Sequence, residues 1–200
     1  MESKHAIRSK GTRDALVSAA RTLFGERGYA AVGTEEIVRA AGVTRGALYH
    51  QFRDKAELFD AVVVAVEGDV TQRIVAGALT GAASPAAALR AGARAFLEVC
   101  AEPEVERILL LDAPGVLGWE RWREIGQAHG LGVITAALQA AIDAGEIPSQ
   151  PVRPLAHLVL GALDEAALVV ARAEDPGAER EAMLAALERL LLPTNARMLP

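Results

Sequence analysis

Between Thr34 and Lys55 the chain reads TEEIVRAAGVTRGALYHQFRDK, a stretch whose polar side chains are typed to grip a polyanion. Arg45 carries a planar fork of donors that matches the acceptor edge of a guanine in the major groove. Gly46 and Ala47 are small, which lets the backbone come close and leaves room for a thymine methyl. Tyr49 and His50 have donors that reach phosphate oxygens or base edges. Thr34 and Lys55 open the flanking helices, where unpaired backbone N–H groups favour an anion. One arginine, one tyrosine, one histidine and two small residues on a short helix form a pattern suited to DNA.

The elements that must hold those residues follow from spacing. Thr12 to Arg27 has apolar residues at Ala15, Leu16, Ala19, Ala20, Leu23 and Phe24, the repeat of a helix with one buried stripe. Gly28 is placed to end it in the left-handed conformation. Residues 1–10, with Lys4, Arg8 and Lys10, read as a loose basic tail. Thr34 is expected to cap a second helix over about Glu35 to Ala41, too short to persist without packing. Gly42 supplies the turn, Val43 plugs it into the core, and Thr44 caps a third helix over about Arg45 to Phe52. Two short helices joined through such a turn form a helix-turn-helix, whose second helix enters the major groove by its N-terminal residues.

Charge supports the same division. Residues 1–55 hold ten Lys/Arg against six Asp/Glu, a net of +4, and residues 56–200 hold eleven against twenty, a net of −9. A basic N-terminal quarter on an acidic remainder concentrates affinity for phosphate at one end. The composition, 52% hydrophobic with 4% aromatics, favours a helical globular chain. A single cysteine, Cys100, rules out an intrachain disulfide. The charged N-terminus lacks an apolar signal segment, and the expected location is the cytoplasm. No nucleophile–base pair, metal-spaced Cys/His cluster or glycine-rich phosphate loop appears, so neither enzyme, cofactor nor metal is expected.

Residues 12–59 resemble the DNA-binding domain of the tetracycline-repressor (TetR) family of bacterial transcriptional regulators. The resemblance is carried by Ala19–Ala20, Leu23–Phe24, Gly28–Tyr29, Thr34, Ile37, Ala40–Val43, Gly46–Phe52, Lys55 and Leu58–Phe59. It implies an all-α fold of about nine helices: a three-helix head with the helix-turn-helix at 1–54, and a helical ligand-sensing and dimerisation body at 55–200. It implies base contact from Arg45, Gly46 and Ala47, and phosphate contact from Thr34, Tyr49, His50 and Lys55, with Thr44 completing the DNA-binding set. It also implies a homodimer on a near-palindromic operator, released by a small-molecule effector. Val38 and Gln51 depart from the family's commoner residues.

The remainder reads as helices. Helix four starts at Lys55 and reaches about 25 residues if Gln72 to Leu79 extends it. Pro85 to Cys100 follows Ser84 as cap, then Pro103 to Asp112, a loop at 112–118, Trp119 to Ala144, Pro154 to Arg172 and Pro176 to Leu192. Phe96, Cys100, Leu111, Leu117, Trp119, Trp122, Ile125 and His129 are candidates to line a cavity, or alternatively plain core. The helix from Pro154 is apolar over more than one stripe, which implies its own core on one side and a second subunit on the other, or alternatively a fully internal helix in a monomer. Leu155, Leu158, Gly161, Ala162, Ala166 and Val169, with Leu184, Leu187 and Leu191 of the last helix, are the expected interface. Two other readings stay open: a DNA-binding regulator controlled by a partner rather than a small molecule, and an all-helical enzyme.

Overall fold

The computed structural model describes residues 4–79 and 82–191, and the described residues are all helix and connecting turns. Nine helical runs follow in order: α1 Lys4–Arg27, α2 Thr34–Ala40, α3 Arg45–Gln51, α4 Lys55–Leu79, α5 Pro85–Cys100, α6, α7 Trp119–Asp143, α8 Val152–Val170 and α9 Pro176–Leu191. The run α6 is three contiguous pieces, Pro103–Val105, a π-helical Glu106–Asp112, and Ala113–Leu117. Contacts divide the chain into two compact units. One holds the chain up to Glu67 with Pro103–Arg123; the other holds Gly68–Glu102 with the chain from Glu124 onward. The first 13 residues of α4, up to Glu67, belong to the first unit.

In the first unit, Leu16, Ala20 and Phe24 of α1 are fully buried with Ile37 of α2, Leu48 of α3 and Leu58, Phe59 and Val62 of α4. Phe24 meets Phe59 edge-on at 5.3 Å between ring centres, and Tyr29 lies 5.0 Å from Phe59. Burial of so much apolar surface by short helices is what makes them stable, since neither α2 nor α3 would form alone.

Glycine sets the two turns of the head. Gly28 takes φ +81° after α1 and its N–H donates to the Phe24 carbonyl at 2.8 Å. Gly42 takes φ +65° between α2 and α3, a conformation that a Cβ would penalise. Two expectations change here. The chain is helical from Lys4, so α1 starts eight residues before the expected Thr12. Gly33, not Thr34, is the N-cap of α2, with no side-chain capping bond, and Thr34 is its first helical residue.

The stretch expected to be a loop at 112–118 is largely helical. The π register accounts for it. The Ala113 N–H reaches back five residues to the Ile108 carbonyl, so the Leu109 carbonyl loses the partner an α-helix would give it. The Trp122 indole N–H donates to that carbonyl at 2.8 Å. Pro114 has no N–H to offer the Leu109 carbonyl five residues back, so that acceptor is left to Trp122. The run then stops at Gly118, φ +83°.

The second unit packs α8 against α9 and α5. Its core includes Leu89, Ala93 and Leu97 of α5, Val159, Leu163 and Ala166 of α8, and Leu184 and Leu187 of α9. Ser84 caps α5 by accepting from Ala87 N–H at 3.3 Å, and Glu146 accepts from Ala86 N–H at 2.6 Å. Arg94 pairs with Glu181 at 3.0 Å, tying α5 to α9. The hydrogen bond from Arg94 draws the Glu181 carboxyl below its ordinary range.

Candidate nucleic-acid interface

The third helix turns its apolar side inward and its polar side outward. Leu48 is 0% exposed, and Phe52 just past the helix is nearly so. Arg45, Gly46, Tyr49 and His50 are exposed, Tyr49 at 46%. Thr44 caps α3 as expected, its hydroxyl accepting from Ala47 N–H at 3.2 Å. Arg13 of α1 closes the other end: its guanidinium lies 4.4 Å over the Phe52 ring and one N–H reaches the Gln51 carbonyl at 3.5 Å. Gln51 itself donates to the Ser9 hydroxyl at 2.8 Å. The early turns of α1, expected to be a loose tail, therefore brace the recognition helix.

Arg45 lies within reach of two neighbours. Its Nη1 lies 3.5 Å from Glu35 Oε1, and its guanidinium carbon is 5.7 Å from the centre of the Tyr49 ring. The adjacent acid on α2 goes the other way. Glu36 binds Arg27, which also donates to the Ala31 carbonyl at 2.9 Å. The hydrogen bond from Arg27 holds the Glu36 carboxyl below its usual range.

Lys55 is doubly engaged within the head. Its Nζ donates to the carbonyls of Tyr29 at 2.9 Å and Val32 at 3.1 Å, and sits 4.0 Å from the Tyr29 ring centre. These bonds satisfy carbonyls of the α1–α2 connector. They make Lys55 a strut for the fold, whatever its remaining proton meets. A second strut comes from α6. Asp112 accepts from Tyr29 N–H at 2.7 Å, and Glu104 binds Arg21 through two bonds of 2.6 and 3.2 Å. The Asp112 carboxylate is thereby committed to the head. Neither strut is visible from sequence, because the partners stand 23 to 83 residues apart.

The residues expected to line a cavity fall four in each unit. In the first, Trp119 and Trp122 share a face as their spacing requires, with ring centres 4.8 Å apart. Trp122 is buried, but Trp119 and Leu111 are exposed rather than enclosed, and Leu117 is intermediate. Trp119 opens α7 directly after the Gly118 turn, with the other indole against it. In the second unit, Cys100 and Ile125 are buried, Phe96 and His129 half-buried, and His129 lies against α4 at Gly68.

The expected interface residues also divide. Ala166, Leu184 and Leu187 are buried in their own unit, Ala166 at 2% exposure, because α8 spends that face on α5 and α9. They do not face outward. Leu158, 72% exposed, does, and Leu155, Gly161, Ala162 and Val169 beside it are half-buried. The side chain of Leu191 lies outside the described residues.

A three-helix head with a helix-turn-helix, joined to further helices, defines a class of DNA-binding regulators. Residues 16–62 match the family of bacterial regulatory proteins, tetR family, and residues 86–193 match the tetracyclin repressor-like C-terminal domain. The chain is 35% identical to a TetR-family transcriptional regulator from Pectobacterium atrosepticum, over 96% of this chain and 99% of that one, with a TM-score of 0.83. It shares its fold with RolR in complex with resorcinol, at 20% identity over 98% of both chains and a TM-score of 0.76. It is 26% identical to the transposon Tn10 TetC protein of Escherichia coli over 76% of each chain. The regulator AcuR of Cereibacter sphaeroides matches at 35% over 42% of this chain and 41% of its own. The chain belongs to the TetR family and is a DNA-binding transcriptional regulator.

Proposed function

We propose that the protein is a homodimeric repressor of a near-palindromic operator and that a small organic molecule releases it. The observation carrying this reading is the divided surface of α3, with Leu48 sealed in the core and Arg45, Tyr49 and His50 exposed. Arg45 reads a guanine edge, and Gly46 and Ala47 give the backbone access to the groove. Thr34, Thr44, Tyr49 and His50 donate to phosphates and fix the register. Lys55 adds its unspent N–H to a phosphate while its other two hold the α1–α2 connector.

The outward stripe of α8, Leu155, Leu158, Gly161, Ala162 and Val169, suits a second copy across a two-fold axis. Two recognition helices then meet half-sites about 34–36 Å apart. RolR has been solved with resorcinol, which supports a small ring compound as effector in this fold. Effector and operator weaken one another reciprocally, by about 1–3 kcal/mol in typical systems. The cytoplasm is where such a protein meets its DNA.

Enrichment of bound DNA from a random pool tests the reading. The expected product is a palindrome with two half-sites; a lone half-site overturns the dimer, and no enrichment overturns operator binding. Thermal melting against a panel of phenols, resorcinol included, tests the effector. A compound that raises Tm and lowers operator affinity is expected. A panel member that raises Tm and leaves DNA bound overturns release.

A further inference from the structure

We infer that Glu35 is a positioning residue for base reading: its carboxylate holds the Arg45 guanidinium above the Tyr49 ring and thereby sets the preference at one base pair. The inference rests on the reading of Arg45 as the base-contacting residue.

Glu35 and Arg45 belong to different helices of the helix-turn-helix, and their side chains are 80% and 66% exposed. Neither is needed for the core. Their contact, 3.5 Å from Oε1 to Nη1, is weak and screened, so it serves as a guide rather than as a source of stability. A second restraint acts from below, where the Tyr49 ring lies 5.7 Å from Cζ, within the range of a cation–π contact. Together they limit a side chain that otherwise samples many rotamers. An arginine already restrained loses less freedom on binding and offers fewer wrong orientations to wrong bases.

The contact also selects an edge. With Nη1 turned to the carboxylate, the Nε–Nη2 edge is left to present two parallel donors, the arrangement that matches the O6 and N7 acceptors of guanine. Glu36 does not do this, being bound to Arg27 of α1. A carboxylate beside DNA otherwise only repels phosphate. Its presence next to the recognition arginine therefore weakens binding to all sequences while sharpening one choice, and the two effects have opposite signs.

The test uses the full-length protein and the palindrome it enriches from a random pool, varied one base pair at a time. Arg45→Ala first marks the base pair that Arg45 reads. Glu35→Gln is then expected to reduce discrimination at that pair by about three- to tenfold, to leave other positions unchanged, and to raise affinity for scrambled DNA. Added to Arg45→Ala, Glu35→Gln should change nothing further at that pair. If Glu35→Gln leaves the preference intact where Arg45→Ala removes it, the inference falls and the base-reading role of Arg45 stands. If the double variant loses still more at that pair, Glu35 touches a base itself, as an acceptor for cytosine N4, and the positioning role falls. If Arg45→Ala weakens every sequence equally, the underlying reading of Arg45 fails, and the inference with it.

Discussion

The third helix and the eighth leave opposite kinds of residue outside. On α3 the residues left outside are Arg45, Tyr49 and His50, while Leu48 is buried. On α8 a leucine, Leu158, is left outside, while Ala156, Val159, Leu163 and Ala166 are buried. A helix that meets a polyanion must keep donors hydrated until phosphate or base edges replace the water, and charge gives it long reach. A helix that meets a copy of itself gains by excluding water from apolar surface, and needs small or branched residues that let another helix approach. The two faces therefore differ in what a single exposed residue is worth.

The sharpest way to break the comparison is to charge the two sides of α8. Ala166→Asp buries an unpaired carboxylate in the unit's own core and should cost several kcal/mol, about 3 or more, read as a large fall in Tm. Leu158→Asp should leave Tm of the isolated chain nearly unchanged and shift sedimentation from dimer to monomer. If Leu158→Asp remains dimeric, the self-association face lies elsewhere.

On α3 the corresponding core change is Leu48→Ala. Its expected cost is about 2–5 kcal/mol of stability, with DNA binding lost as the head loosens. Binding that survives with unchanged denaturant midpoint would mean that the inner face of α3 does not hold the outer one.

Arg45→Ala should cost about 1–3 kcal/mol of operator affinity, at one base pair and without change in Tm. Lys55→Ala follows as the smaller and mixed case. Loss of bonds to the Tyr29 and Val32 carbonyls should lower stability by about 1–2 kcal/mol. The salt slope of DNA binding should fall by up to about one. A fall in slope with no change in stability would make the phosphate the main partner of Lys55 and the carbonyls incidental.

Local features were legible. Positive φ at Gly28 and Gly42, the caps at Thr44 and Ser84, and 25 residues for α4 all follow from the residue and its immediate neighbours. The early start of α1 was missed because residues 4–11 carry no apolar stripe of their own; Ser9 meets Gln51 42 positions away. The helix at Ala113–Leu117, within the stretch expected to be a loop at 112–118, was hidden for a related reason. Its Pro and Gly are ordinary loop signals, and only the π register, with Trp122 taking up the Leu109 carbonyl, makes a helix there satisfactory.

The candidate site divides the same way. That α3 presents Arg45, Tyr49 and His50 could be read from residue type and turn spacing, since three polar side chains beside one leucine leave only Leu48 suited to the core. Which apolar residues of α8 face inward could not. Ala166 and Ala162 are equally small, and only the packing of α5 and α9 buries one and leaves the other half open. Sequence by itself determined most of the helices, the turn, and the chemical types on the recognition helix, because short-range periodicity and backbone sterics act within a few residues. The tertiary structure alone decided what each charge is bound to. Glu35 turned to Arg45, Glu36 to Arg27, Asp112 to the Tyr29 amide and Lys55 to two carbonyls, because an ion pair or a buried hydrogen bond depends on distances that only the folded chain sets.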